Sequence, residues 1–83
     1  MAANDWSEID KQKTREYVDF LIGNIGDERL IAHKNEVADC FLDKLITEYP
    51  RVEDMKQALP DNKDHFTKLM AGCFSEYGVN IDN

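Results

Sequence analysis

The stretch Asp61–Val79, DNKDHFTKLMAGCFSEYGV, decides the fold. Its apolar side chains, Phe66, Leu69, Met70, Cys73, Phe74 and Tyr77, follow the i, i+3, i+4, i+7, i+8, i+11 spacing of one helical face. Pro60 and Asp61 supply the start signal. Gly78 supplies the stop: as the left-handed residue after the helix it would bring Val79 onto Phe74 in a Schellman contact. A stripe this wide and aromatic must be covered, either by the rest of the chain or by a partner.

The preceding segments offer that cover. Asp5 and Ser7 are both placed to cap a first helix, with Glu8 and Asp10 three residues on in the spacing of a capping box. That helix is predicted to run to about Ile22. Its second half is apolar at Tyr17, Val18, Phe20, Leu21 and Ile22. Its first half, KQKTRE, has almost no apolar face and is expected to project into solvent, with Trp6 and Ile9 reaching back to the core. Gly23-Asn24-Ile25-Gly26 breaks the pattern. Asp27 then caps a helical stretch to Tyr49 that carries Leu30, Ile31, Val37, Ala38, Phe41, Leu42, Leu45 and Ile46. The polar run His33-Lys34-Asn35-Glu36 interrupts it. One helix is favoured here, and a split with Asn35 as the second cap is the alternative.

Pro50 forces the next boundary, because the residue before a proline is pushed out of the α region. Arg51–Leu59 reads as a short helix with Val52, Met55 and Leu59 inward. No period-2 run or hairpin dipeptide signals a strand. The prediction is an all-α, small compact domain of four helices, five if Asp27–Tyr49 divides, packed as an antiparallel bundle. Residues 1–83 form a single domain, with residues 1–4 a loose N-terminus and residues 80–83 a polar tail into which Ile81 could tuck back.

Composition narrows function. Seventeen acidic against ten basic residues give a net charge of −7. A polyanion or an anionic membrane needs a basic footprint, so direct nucleic-acid and membrane binding are not expected. No apolar run approaches the roughly 20 residues that span a bilayer. MAANDWSEID lacks the basic and apolar regions of a secretory signal, and the expected location is cytoplasmic. Cys40 and Cys73 both sit within apolar helical patterns. They read as reduced, buried small hydrophobes, with a disulfide available only if their helices pack side by side.

No chemistry-bearing constellation emerges. His33 and Cys40 are seven residues apart and His65 and Cys73 eight, which on a helix is roughly 10–12 Å, too far for the zinc shell. Asp61-Asn62-Lys63-Asp64 lacks the glycine and distal glutamate of a calcium loop and is better read as a helix cap. Gly23-Asn24-Ile25-Gly26 lacks the lysine and preceding strand of a phosphate loop. Neither a cofactor nor a catalytic set is expected, and the chain is not expected to be an enzyme. Ala38-Asp39-Cys40-Phe41 and Ala71-Gly72-Cys73-Phe74 share A-x-C-F, but the flanks differ and the echo reads as coincidence.

Surfaces remain. Glu36, Asp39 and Asp43 stand at i, i+3, i+7 on one helix face, with Glu28 and Glu48 beyond and Lys34 and Lys44 interleaved. Trp6, Tyr17, Tyr49 and Tyr77 lie at the margins of the apolar faces, where such residues close a core or anchor an interface. The expected function is protein binding, as an adaptor, inhibitor or regulator, through Glu36, Asp39, Asp43, Tyr49, Tyr77 and Trp6. A homodimer through the first and last helices is a further expectation. The alternative is a nucleic-acid mimic that uses the acidic face to block a nucleic-acid-binding protein.

Overall fold

The computed structural model describes residues 4–79. The expectations for residues 1–3, the tail 80–83 and Ile81 lie outside the described residues. Five α-helices follow in order: α1 Glu8–Ile25, α2 Glu28–Ala32, α3 Lys34–Glu48, α4 Val52–Ala58 and α5 Lys63–Ser75, with a short 3-10 turn at Leu59–Asp61 before the last. Among the described residues there is no strand.

α1 begins at a capping box. The Ser7 hydroxyl accepts from the Asp10 N–H at 3.1 Å, and the Asp10 carboxylate accepts from the Ser7 N–H at 3.2 Å and its hydroxyl at 2.9 Å. Asp5 has a different task. Its N–H donates to the Pro50 carbonyl at 3.0 Å, and its carboxylate accepts from the Val52 N–H at 2.7 Å. It thereby caps α4 across the fold. Trp6, 6% exposed, packs beside it and donates its indole N–H to the Tyr49 carbonyl at 2.9 Å.

The first helix is longer than predicted and continues through Gly23 to Ile25. Gly26 ends it, taking φ 73°, where a residue without Cβ meets no steric penalty. The half expected to stand in solvent buries none of its residues and exposes Gln12, Lys13 and Glu16, while its other face lies along α3, where Arg15 reaches Asp39. Ile9 does the opposite of what was expected and is 67% exposed.

Asp27 caps α2 through the Arg29 N–H at 2.8 Å. The favoured single helix over Asp27–Tyr49 is broken at His33, with φ −117° and ψ 26°. Long-range bonds hold α2 off the α3 line. Arg29 donates to the Gly78 carbonyl at 2.8 Å, and the His33 ring stacks on Tyr77 with centroids 4.7 Å apart.

α3 is the central element, with α1 and α5 antiparallel to it on different sides. Trp6 lies by Tyr49 and Arg15 by Asp39. On the other flank His65 meets Glu48, Cys73 meets Cys40, and Tyr77 meets His33. The core is Val18 and Ile22 of α1, Leu30 of α2, Val37, Ala38, Phe41, Leu42 and Leu45 of α3, and Phe66, Met70, Cys73 and Phe74 of α5, closed by Trp6 and Val79. Every one of these is apolar, and burying each large side chain contributes about 1.5–3 kcal/mol. α4 adds the half-buried Val52, Met55 and Ala58; Leu59, expected inward, is exposed because the chain has already entered the 3-10 turn.

That turn also delays the last helix from Asp61 to Lys63. Asn62, not Asp61, precedes it, and its side-chain amide donates back to the Ala58 carbonyl at 2.9 Å. The C-terminus follows the predicted Schellman pattern. The Val79 N–H donates to the Phe74 carbonyl at 3.2 Å, the Gly78 N–H to that of Ser75 at 3.0 Å, and Gly78 takes φ 82°.

Candidate functional site

The expectation of reduced cysteines is overturned. Cys40 and Cys73 form a disulfide with their Cα atoms 5.9 Å apart, inside the range that bridging requires. The condition set by the sequence, that the two helices pack side by side, is met by α3 and α5. The shared A-x-C-F segments are where these helices face each other. A Cβ at Gly72 would meet only the flexible end of the Lys44 side chain, at 2.8 Å. Cys73 is fully buried, whereas Cys40 is half-buried and opens onto the surface.

That surface is a shallow, open groove of about 550 Å³ between α1, α3 and the Glu76–Tyr77 segment just after α5. Leu42, Ile46, Tyr77 and Cys40 supply its apolar contacts. Glu36, Asp39 and Asp43 line it from α3, Glu76 from just beyond α5, and Lys11 and Arg15 from α1. Arg15 is already engaged, with Nε 3.0 Å and Nη2 2.9 Å from Asp39 Oδ1. Lys11 pairs at 3.6 Å with Glu8 on its own helix. Glu76 lies with a carboxylate oxygen 3.8 Å from Cys40 Sγ. The groove therefore combines an apolar base with carboxylates in excess over cations, and Glu36, Asp43 and Glu76 carry no ion pair among the described residues.

Four of the six candidate residues meet here: Glu36, Asp39, Asp43 and Tyr77. Trp6 and Tyr49 do not. They lie at the other end of α3, Trp6 in the core and Tyr49 half-buried with its ring stacked on Phe66 at 5.7 Å. The outer members of the acidic stripe also separate. Glu28 is on α2, beyond the break at His33, and Glu48 bonds His65. Lys11, Arg15 and Glu76 were missed by sequence reasoning, because their part in the groove depends on how three helices come together.

The His65–Glu48 contact is the one histidine–carboxylate pair on the surface, among the described residues. It joins the start of α5 to the end of α3 beside an open hollow of about 440 Å³ lined by Pro60, Asp61, Asn62, Lys63, Asp64, His65 and Lys68. Both side chains are about two-fifths exposed, so solvent reaches the pair freely. Among the described residues, no three His, Cys, Asp or Glu side chains converge as a metal shell would require. Nor is any helix long and apolar enough to cross a membrane.

Two surface carboxylates are tuned by their caps. The Ser7 backbone N–H and then its hydroxyl hold Asp10 below the usual carboxylate range, with Lys56 adding to the effect. The Arg29 side chain, followed by its backbone N–H, does the same for Asp27. Both are structural caps and lie outside the groove. No family model, curated protein or solved structure matches the chain.

Proposed function

We propose that the protein is a small acidic, non-catalytic binding module whose groove receives a basic, amphipathic segment of another protein. The observation that carries this reading is the pairing of an apolar base, the half-buried Ile46 and Tyr77 over the buried Leu42, with the carboxylates of Glu36, Asp43 and Glu76. A lysine- or arginine-bearing helix would set its apolar side chains on the base and its cations on the rim, which favours both encounter and register.

The nucleic-acid mimic is the less supported reading. A phosphate backbone presents regularly spaced charge, whereas here Asp39 is satisfied by Arg15, Glu48 faces His65, and Glu28 lies beyond a helix break. A cytoplasmic site of action, expected from the sequence, would expose the Cys40–Cys73 bridge to reducing conditions. Trapping free thiols in the source cell reads out that location directly.

The test is affinity for the natural partner, recovered from the source cell and identified, across salt and mutation. Glu36→Lys/Asp43→Lys leaves the Arg15–Asp39 pair intact and should weaken binding by about a hundredfold, and Tyr77→Ala by about tenfold. Binding should persist in part at about 0.5 M salt because of the apolar base. Collapse of affinity under salt with no effect of Tyr77→Ala would favour the mimic instead. Unchanged binding in all variants would exclude the groove.

A further inference from the structure

Three of the six large hydrophobic side chains that stand exposed among the described residues lie on the outer face of α1. Ile9, Tyr17 and Phe20 are 67%, 53% and 65% exposed. On a helix of 3.6 residues per turn, Ile9, Lys13, Glu16 and Phe20 fall within about 60° of arc, opposite the buried Val18 and Ile22. Gln12 and Tyr17 flank this stripe. All six side chains are exposed. Gln12 donates to Glu16 at 3.2 Å, and neither Lys13 nor Glu16 belongs to an ion pair among the described residues.

The order of these residues is self-complementary. Lay a second α1 antiparallel on the first, with the two-fold axis at the height of the Thr14–Arg15 peptide. Ile9 then faces Phe20 of the second copy, Gln12 faces its Tyr17, and Lys13 faces its Glu16. Each of these matches occurs twice, as a two-fold interface demands. A parallel pairing would instead set Lys13 against Lys13 and Glu16 against Glu16. Within a chain of net charge −7, the stripe from Ile9 to Phe20 carries one cation and one anion, Lys13 and Glu16, with Asp19 just outside it, so the contact stripe itself adds no net charge.

From this register and charge complementarity we propose that the occupant of the face is a second copy of this chain, joined through an antiparallel α1–α1 contact. Ile9 and Phe20 lie about 16 Å apart along the axis. The contact is therefore that of a single helix pair, well below the standard interface size, and the dimer is of the weak, concentration-dependent kind. The groove lies on the α3 side of α1, lined there by Lys11 and Arg15. Pairing leaves it open, so the dimer would present two grooves.

Sedimentation equilibrium on the full oxidised chain tests the proposal. The wild type should pass from monomer to dimer mass within the micromolar to about 1 mM range. Phe20→Glu should weaken the dimer by at least about tenfold. Lys13→Glu places four carboxylates at the centre of the contact and Glu16→Lys places four ammonium groups, so each variant alone should be monomeric. Mixed in equal amounts, the two should dimerise as the wild type does, because the heterodimer restores both ion pairs. Circular dichroism confirms that the exposed substitutions leave the fold intact. A wild type that stays monomeric to about 1 mM would overturn the proposal. So would a dimer indifferent to Phe20→Glu, or a mixture that fails to associate.

Discussion

Opening the Cys40–Cys73 bridge should remove a large share of the stability of this domain. The two residues are 33 apart in sequence, and closing a loop of that length in the unfolded chain corresponds to about 3.7 kcal/mol at 25 °C. A domain of 83 residues has about 4–12 kcal/mol in total, so reduction takes a third of it or more. At about 4–8 °C per kcal/mol for a domain this size, the melting temperature should fall by about 15–30 °C. The assay is thermal and urea unfolding with and without a phosphine reductant, followed by circular dichroism, with alkylation and mass measurement to establish that both thiols are free. Reduced wild type retains both sulfur atoms. Cys40→Ala/Cys73→Ala does not, and because Cys73 is fully buried that variant should be destabilised by about a further 1 kcal/mol. A reduced protein that melts within about 5 °C of the oxidised form would refute the loop-entropy reasoning.

Trp6→Ala should destabilise by about 3–5 kcal/mol in urea unfolding, because a buried aromatic is lost. Trp6→Phe, which keeps an aromatic ring but loses part of the indole volume and leaves the Tyr49 carbonyl without its donor, should lose less, about 1–3 kcal/mol. Gly23→Ala should raise stability by about 0.5–1 kcal/mol in the same assay, since Gly23 is helical and exposed and a Cβ there meets nothing within 4 Å. Asp10 and Asp27 are both held below the usual carboxylate range in the fold. Their stabilisation is complete above the unfolded value of about 3.9 and is lost as pH falls through the lower folded values. Asp10→Asn/Asp27→Asn should therefore show a shallower fall in stability below about pH 4, measured by denaturation at stepped pH.

What could be read from the residues was what they determine locally. The Asp61–Val79 stripe, its Schellman stop, the Ser7–Asp10 box and the Asp27 cap all depend on neighbours within a few positions. The break at His33 does not. Its polar run is compatible with one helix, and the deciding contacts come from Arg29 on Gly78 and from Tyr77. The disulfide escaped for a related reason. The alanine, cysteine and phenylalanine shared by the two helices held the clue, but only an antiparallel packing of α3 on α5 turns a shared motif into a contact. The acidic stripe was visible as Glu36, Asp39 and Asp43; Glu76 and the cations of α1 that complete the groove were not. Trp6, taken as an aromatic at a margin, is instead buried in the core, and Tyr49 is half-buried beside it. It is the N-terminal segment, through Asp5 and Trp6, that covers the Tyr49 end of α3.

The central position of α3 bears on how the chain acquires its shape. Most close residue pairs lie within single helices or between chain neighbours, while α1 and α5 dock on α3 through contacts distant in sequence, such as Trp6–Tyr49 and Cys40–Cys73. Chains dominated by local contacts collapse and fold on the microsecond to millisecond scale. Thiol oxidation takes seconds to hours. If the reduced chain keeps enough stability to fold, Cys40 and Cys73 are brought together by helices that have already docked, and the bridge then records the native arrangement instead of directing it. A population refolded in reductant and oxidised afterwards should give a single product, because within one chain these two cysteines have only each other.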